Sequence, residues 1–198
     1  VINGVVNVAS GVHSLIGAGI LNIASARYTL ILNGSNNSAT TSYHATVITG
    51  IRNRVTGLRS TIINGSGNTV TGNLSTIDNG HLNTISSNYS SILNGRRHNV
   101  SGNYSSILNG TQHTVSGPFS AIIGGSGHTV SGNYSLILGG QNYSVTGSRV
   151  VMVPTLRINN LIAGGNTLML WDSATGYVRG NTAAALGLGT ITGAMNLG

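Results

Sequence analysis

The chain has 198 residues, of which only 6% are charged, and its formal net charge is +7. All nine cations are Arg, the two acids are Asp78 and Asp172, and neither Cys nor Lys occurs. The lack of Cys excludes disulfides and thiolate metal sites, and two acids far apart in sequence give poor support to a pair of catalytic carboxylates. We therefore expect a protein that is not an enzyme, with no catalytic residue, no metal site and no cofactor.

Glycine recurs with a period of 15 residues through most of the chain. One series comprises Gly4, Gly19, Gly34, Gly50, Gly65, Gly80, Gly95, Gly110, Gly125 and Gly140, with one residue inserted before Gly50. A second series, seven residues later, includes Gly102 and Gly117. A fixed short period indicates one supersecondary unit stacked on copies of itself. The chain must turn at both series, so Gly110 and Gly117 are predicted to need the positive φ that glycine tolerates.

Each repeat holds two short segments centred on β-branched residues, a pattern typical of strands. Fifteen residues cannot hold a helix and two turns. The repeat therefore predicts an all-β parallel β-solenoid, a β-roll of about ten 15-residue coils over residues 1–149, with coils ~4.8 Å apart. A column of Ser residues two positions before the Ile column is expected to hydrogen-bond along the stack. The predicted intracoil core is Val100, Val115 and Val130 facing Ile92, Ile107, Ile122 and Ile137.

A second apolar column immediately follows the Ile column and must point outward, because neighbouring strand residues face opposite sides. Soluble monomers rarely expose such a stripe, so it predicts the interface of a homotrimer. Asp78 interrupts the stripe and is expected to be buried or near the trimer axis. The interface residues are Leu32, Ile48, Ile63, Leu93, Leu108, Ile123 and Leu138.

Two further columns carry side chains with recognisable chemistry. An aromatic column that includes Tyr28, Tyr89, Phe119 and Tyr134 indicates either stacking along the solenoid or a sugar-binding strip. A polar column that runs from Asn to His predicts a hydrogen-bonded ladder or, with weaker support, a metal site; its members include Asn53, Asn68, Asn83, His98, His113 and His128. The candidate ligand surface, for anionic host glycans or a receptor, comprises Arg52, Arg54, Arg59, Arg96, Arg97, Tyr104 and Tyr134. Nucleic acid is not an expected partner.

The units Ser-Gly-Asn-Tyr-Ser-Ser-Ile-Leu-Asn-Gly (101–110) and Ser-Gly-Asn-Tyr-Ser-Leu-Ile-Leu-Gly-Gly (131–140) resemble the head repeats of trimeric autotransporter adhesins. They are also similar to repeats of phage and large-virus fibre proteins. The resemblance covers residues 1–150 and implies β-rolls packed as a trimer on a cell or virion surface. This chain departs from the adhesin pattern in having a longer unit, and Leu or Ile where those repeats favour Ala.

From Val150 the period fails, so residues 150–198 are predicted to form a separate C-terminal module and extended tail. Leu168–Trp171 and Tyr177–Arg179 flank a polar, Gly-containing segment, which indicates a β-hairpin. This segment is similar to the short β module that follows such repeats in viral tail fibres. One helical turn is predicted at 183–186. No apolar run is long enough to span a bilayer, so membrane insertion is not expected.

Three functions fit these patterns. The first is a structural fibre or adhesin, a trimeric shaft or head that carries host-receptor contacts in the extracellular space or on a virion. The second is a self-polymerising extracellular filament subunit. The third is an ice- or polysaccharide-binding solenoid. Flat Thr-x-Thr ladders would support ice binding, but the polar columns vary between Asn, His, Ser and Thr.

Overall fold

The computed structural model describes residues 1–155 and, as backbone only, two strands at 167–172 and 177–182. The chain divides into two units, Val1–Thr155 and Leu156–Gly198. The first unit is an all-β parallel solenoid, and no helix occurs among the described residues. The predicted fold of about ten 15-residue coils is therefore confirmed.

Every coil contributes two short strands, one to each of two ten-stranded parallel sheets. The odd sheet consists of β1 (Val8–Ala9), β3 (Ile23–Ala24), β5 (Ser38–Ala39), β7 (Arg54–Val55), β9 (Thr69–Val70), β11 (Thr84–Ile85), β13 (Asn99–Val100), β15 (Thr114–Val115), β17 (Thr129–Val130) and β19 (Ser144–Val145). The even sheet consists of β2 (Leu15–Ile16), β4 (Leu30–Ile31), β6 (Thr46–Val47), β8 (Thr61–Ile62), β10 (Thr76–Ile77), β12 (Ser91–Ile92), β14 (Ser106–Ile107), β16 (Ala121–Ile122), β18 (Leu136–Ile137) and β20 (Val151–Met152).

Strand register follows the sequence period. In the odd sheet Val100 pairs with Val115, and in the even sheet Ile107 pairs with Ile122. The inserted residue lies at the corner between β5 and β6, because β4 with β6 and β5 with β7 pair one residue later than the period requires, whereas β3 with β5 and β6 with β8 keep the period. The last strand, β20, still pairs in register with β18. The solenoid thus continues past the predicted boundary at residue 149.

A single line of β-branched side chains from each sheet forms the core. The second residue of nearly every strand is buried, and most of these residues have no exposed surface. These inward residues form one continuous hydrophobic cluster from Ile16 to Val145. The cluster includes the seven predicted core residues, Ile92, Val100, Ile107, Val115, Ile122, Val130 and Ile137. Ala replaces Val in early odd strands, so the core is thinner near the N-terminal coils.

The first glycine series needs both positive φ and room for a neighbouring backbone, whereas the second needs only the room. Gly110 has φ +118°, as predicted, and φ is also positive at Gly95 and Gly125. The prediction of positive φ at Gly117 is wrong. A Cβ on Gly117 would instead lie 2.1 Å from the backbone oxygen of Gly132 in the next coil, so this glycine permits close approach of two backbones.

The left-handed residues beside the second glycine series are bulky side chains. Tyr104, two residues after Gly102, has φ +56°, and Phe119 has φ +55°. Arg97, in the corner that follows Gly95, has φ +58°. A left-handed conformation costs an L-residue roughly 1–2 kcal/mol, so contacts along the stack must offset this strain at every coil.

Strands β21 (Thr167–Asp172) and β22 (Tyr177–Thr182) pair antiparallel, with Asp172 opposite Tyr177. These strands cover the residues in which the sequence predicts a hairpin. The connecting residues 173–176, the predicted helical turn at 183–186 and the extended tail all lie outside the described residues.

Candidate functional site

The outer face of the even sheet carries the predicted interface residues. The side chain that follows each even strand points away from the core, as alternation along a strand requires. Leu32, Leu93 and Leu138 are each more than 40% exposed, Ile63 and Ile123 are also exposed, and Ile48 and Leu108 are half-buried. These seven residues stand on one face along the ladder defined by the even sheet, one coil apart except where Asp78 lies between Ile63 and Leu93.

Two details of this face differ from the sequence analysis. The expectation that Asp78 is buried does not hold in a single chain, where Asp78 is exposed in the same column. The first residues of several even strands also point outward and widen the apolar surface, among them Leu15, Leu30 and Leu136. Their place two residues before the predicted column was the signal that could have identified them.

The candidate ligand residues are all exposed, but they do not form one cluster. Arg52 and Arg97 occupy the same column at the corner before the odd sheet, three coils apart, and Arg96 precedes Arg97 in the adjacent column. Arg54 begins strand β7 on the outer face of the odd sheet. Arg59, Tyr104 and Tyr134 share the column at the other corner, where φ is positive. The structure therefore separates the arginines into two corners and one sheet face.

The aromatic column is a continuous stack of rings. Tyr89, Tyr104, Phe119 and Tyr134 lie in order with ring centroids 4.7–5.0 Å apart and planes within 3° of parallel. Each ring covers the face of its neighbour, so only ring edges and the outer faces at the two ends reach solvent. A sugar-binding strip needs open aromatic faces, so this geometry favours the alternative of stacking along the solenoid.

The aromatic column also contains a second, shorter stack, in which the sequence indicated Tyr28 but not His13 and His44. His13, Tyr28 and His44 stack in order, with centroids 5.0 and 4.9 Å apart. The guanidinium of Arg27 lies over the rings of Tyr28 and Tyr43, at 5.5 and 5.7 Å from their centroids. Cation–π contacts of this kind stabilise exposed sites by about 0.5–1 kcal/mol. The 15-residue spacing of Tyr28 from His13 was the available signal.

The polar column points into the coil at the edge of the core, and its Asn residues join successive coils by two hydrogen bonds. The side-chain oxygen of Asn53 accepts from the backbone N–H of Asn68 at 3.0 Å. The side-chain nitrogen of Asn53 donates to the backbone oxygen of Gly65 at 2.9 Å. The same pattern runs from Asn22 to Asn83. These buried amides are therefore satisfied by the coil above, as buried polar groups must be.

The Ser column provides a matching ladder at the other corner, as predicted. The Ser60 hydroxyl oxygen accepts from the backbone N–H of Ser75 at 3.1 Å and donates to the backbone oxygen of Gly72 at 2.8 Å. Ser75, Ser90, Ser105 and Ser120 repeat both bonds. The interior is thus flanked on both sides by side chains that bond to the next coil.

Three His residues continue the Asn column, and each is buried. Nδ1 of His98 accepts the backbone N–H of His113 at 3.1 Å, and Nδ1 of His113 accepts that of His128 at 3.1 Å. The neutral ring must therefore carry its proton on Nε2. Among the described residues no partner of suitable hydrogen-bond geometry meets Nε2 of His98, His113 or His128. The three rings stack at 4.9 Å.

Burial of this stack disfavours a positive charge. Burial lowers the pKa of His98 to about 4 from an ordinary value of 6.5. Burial, with repulsion from His98 and His128, lowers the pKa of His113 to about 4, and burial also lowers the pKa of His128. Rings that are neutral and stacked face to face do not converge on one ion. The described residues contain no cluster of three or more His, Asp or Glu side chains suited to a metal.

No protein-family model matches the chain, and no curated protein matches it in sequence. The described part of the chain also contains no helix long and apolar enough to cross a membrane. The faces and corners of the solenoid are therefore the features from which a function can be inferred.

Proposed function

We propose that the chain is a structural fibre or adhesin protein in which three copies pack the outer faces of their even sheets against one another. The observation that supports this proposal is the exposed apolar column on that face, from Leu32 to Leu138. An apolar surface of this length, interrupted only by Asp78 between Ile63 and Leu93, is typical of an interface. The solenoid is compatible with this role because its rigid ladders repeat one face over ten coils.

Within this proposal the protein lies outside the cell or on a virion, and it performs no catalysis. The exposed arginines at both corners remain accessible when the even sheets are covered. Repeated contacts of this type can contribute to host-surface binding through multivalency. Anionic glycans are the proposed ligands, because every cation is Arg and the solenoid unit, Val1–Thr155, contains a single acid, Asp78.

The trimer is tested by analytical ultracentrifugation of Leu93→Asp beside wild type. Leu93 is 44% exposed, so the variant coil can fold, but a second carboxylate one coil from the native Asp78 would be buried in the interface beside a like charge, at a cost of several kcal/mol. We expect wild type to sediment as a trimer and Leu93→Asp as a monomer. Ser86→Asp is the matched control, since Ser86 is an exposed residue on the opposite sheet of the same coil.

A monomeric wild type would contradict the proposal. Continuous filaments in negative-stain microscopy would instead favour a self-polymerising filament subunit. Glycan binding is tested separately on arrays at low and high salt, with Arg52→Ala/Arg97→Ala as the variant. Exposed charges are screened beyond ~10 Å at about 0.1 M salt, so we expect binding to weaken with salt. Binding that is unchanged by salt and by the substitutions would exclude these arginines.

A further inference from the structure

The outer face of the odd sheet carries a ladder of hydroxyl groups. The residue after each odd strand points outward, on the side opposite the buried second residue of the strand. In all ten coils this residue is Ser or Thr, and it is exposed or half-buried. The members are Ser10, Ser25, Thr40, Thr56, Thr71, Ser86, Ser101, Ser116, Ser131 and Thr146.

A second outward column lies two residues earlier, at the first position of each odd strand. Hydroxyl residues hold six of its ten positions, which are Ser38, Thr69, Thr84, Thr114, Thr129 and Ser144. The two columns together form Thr-Val-Thr at 69–71 and Thr-Val-Ser at 114–116 and 129–131. The only charged residue in either column is Arg54, and neither column contains an aromatic residue.

The backbone imposes a two-dimensional spacing on these hydroxyls. Successive coils lie ~4.8 Å apart, and residues two positions apart along a strand lie ~6.6 Å apart. In-register pairing, such as Thr114 with Thr129, fixes both spacings along the odd sheet. The hydroxyls therefore form a regular array that is held in place by the whole stack.

The side chains of this array limit the kinds of ligand that it could bind. Sugar rings pack on open aromatic faces, and this face has none. Anionic polymers need several cations, and Arg54 stands alone here. What remains is a neutral lattice of hydroxyls and Thr methyls. Hydroxyls hold ordered first-shell water at modest entropic cost, and apolar methyls restrict the orientations of adjacent water. Ice is a surface of neutral donors and acceptors with oxygen rows spaced much like β-strands.

We propose that the outer face of the odd sheet binds ice. In the sequence, variation among Asn, His, Ser and Thr counted as evidence against a flat ladder of Thr. Most of that variation occurs in the buried inward column that contains Asn68 and His98, which is not part of this face. The odd sheet is separate from the even-sheet face assigned to the trimer. Ice binding therefore does not depend on the number of copies.

The test is the partition of the purified full chain into slowly grown ice, together with inhibition of ice recrystallisation. The disrupting variant is Ser116→Tyr/Ser131→Tyr, which adds bulk at two exposed positions of the array. The matched control is Asn79→Tyr/Asn94→Tyr, at two exposed corner positions outside it. We expect wild type and control to concentrate in ice, and the disrupting variant to lose about tenfold in partition.

Thr114→Val/Thr129→Val provides a second variant that removes two hydroxyls but keeps side-chain shape. Circular dichroism verifies the fold of each protein, and ultracentrifugation shows whether its oligomeric state has changed. Exclusion of wild type from ice, or equal partition of Ser116→Tyr/Ser131→Tyr and wild type, would overturn the proposal. Binding of wild type to crystalline cellulose or chitin without uptake into ice would also overturn it, and would assign the face to a polysaccharide.

Discussion

The inward polar column holds Asn in the earlier coils (the Asn coils) and His in the later coils (the His coils). Both side chains accept a hydrogen bond from the backbone of the next coil. From Asn22 to Asn83 each inward amide makes two hydrogen bonds to the next coil. From His98 to His128 each ring keeps the bond to the next backbone N–H and stacks on its neighbours, while its Nε2 lacks a partner of standard hydrogen-bond geometry. The comparison shows that the coil needs an acceptor at one fixed point, whereas the rest of the side chain can vary.

The imidazole fits because its Nδ1 takes the place of the Asn side-chain oxygen. The bond from Asn83 to the His98 N–H is 3.0 Å, and the bond from His98 to the His113 N–H is 3.1 Å, so the spacing is preserved across the change. The difference is at Nε2, which is buried without a partner of suitable geometry in the described structure. Burial lowers the pKa of His98, but hydrogen bonding to the backbone of Gly110 and Asn94 raises it against that effect, so a non-ideal interaction offsets part of the cost of about 1–3 kcal/mol for an unsatisfied buried donor. Ring stacking must offset part of that cost.

The largest loss of stability is expected from substitution in the first glycine series, which the Asn coils and the His coils share. A Cβ at Gly65 would lie 2.2 Å from the backbone oxygen of Gly80, and a Cβ at Gly110 would lie 2.2 Å from Nε2 of His113. Both residues have positive φ. Backbone strain of about 1–3 kcal/mol and overpacking of about 1–3 kcal/mol together predict that Gly65→Val or Gly110→Val lowers the unfolding free energy severely. Thermal melting measures the loss.

Ser106→Val is the control for both glycine variants, because Ser106 lies in a strand with its side chain directed outward. We expect its melting temperature to stay close to that of wild type. Equal shifts for Ser106→Val and Gly110→Val would show that the corner backbone does not require glycine.

The 15-residue glycine period was sufficient to predict the coil, the parallel sheets and the buried Ile and Val columns, because strand alternation follows directly from spacing. It was not sufficient to assign positive φ. Glycine marks both turns, yet Gly117 needs only space, while the left-handed conformation falls on Phe119. Sequence alone also left the environment of His113 open, since the same spacing suits an exposed turn or a buried ladder. Inward direction depends on how the whole corner closes.

Acid is expected to destabilise the coils that contain buried His more than those that contain buried Asn. The lowered pKa values of about 4 for His98 and His113 mean that the unfolded chain binds protons first, near pH 6.5. Stability is therefore full above pH 6.5, falls as the pH drops towards 4, and loses little more from these groups below 4. Protonation would also turn Nδ1 into a donor that faces the backbone N–H of the next coil, so the hydrogen bond between them would be lost. Melting temperatures at pH 7.5 and 4.5 measure this loss.

The matched variant for the acid experiment is the triple change His98→Asn, His113→Asn and His128→Asn, which extends the Asn ladder. The exposed His13, His44 and His81 remain, so the variant isolates the buried stack. We expect its melting temperature to change much less between the two pH values. A wild-type loss that the triple variant reproduces in full would assign the acid sensitivity to other groups.

The smallest loss of stability is expected from substitution of a single buried Asn, which tests whether the coil needs a hydrogen-bond acceptor at this position. Asn68→Ala removes the acceptor for the Asn83 N–H and the donor to the Gly80 oxygen. The buried N–H of Asn83 then has no partner, so we expect a loss of about 1–3 kcal/mol in a denaturant unfolding experiment. Asn68→His should lose less at pH 7.5, because Nδ1 restores that acceptor as it does at His98. If His and Ala at position 68 destabilise equally, the acceptor is not the requirement, and the His coils must be stabilised by ring stacking alone.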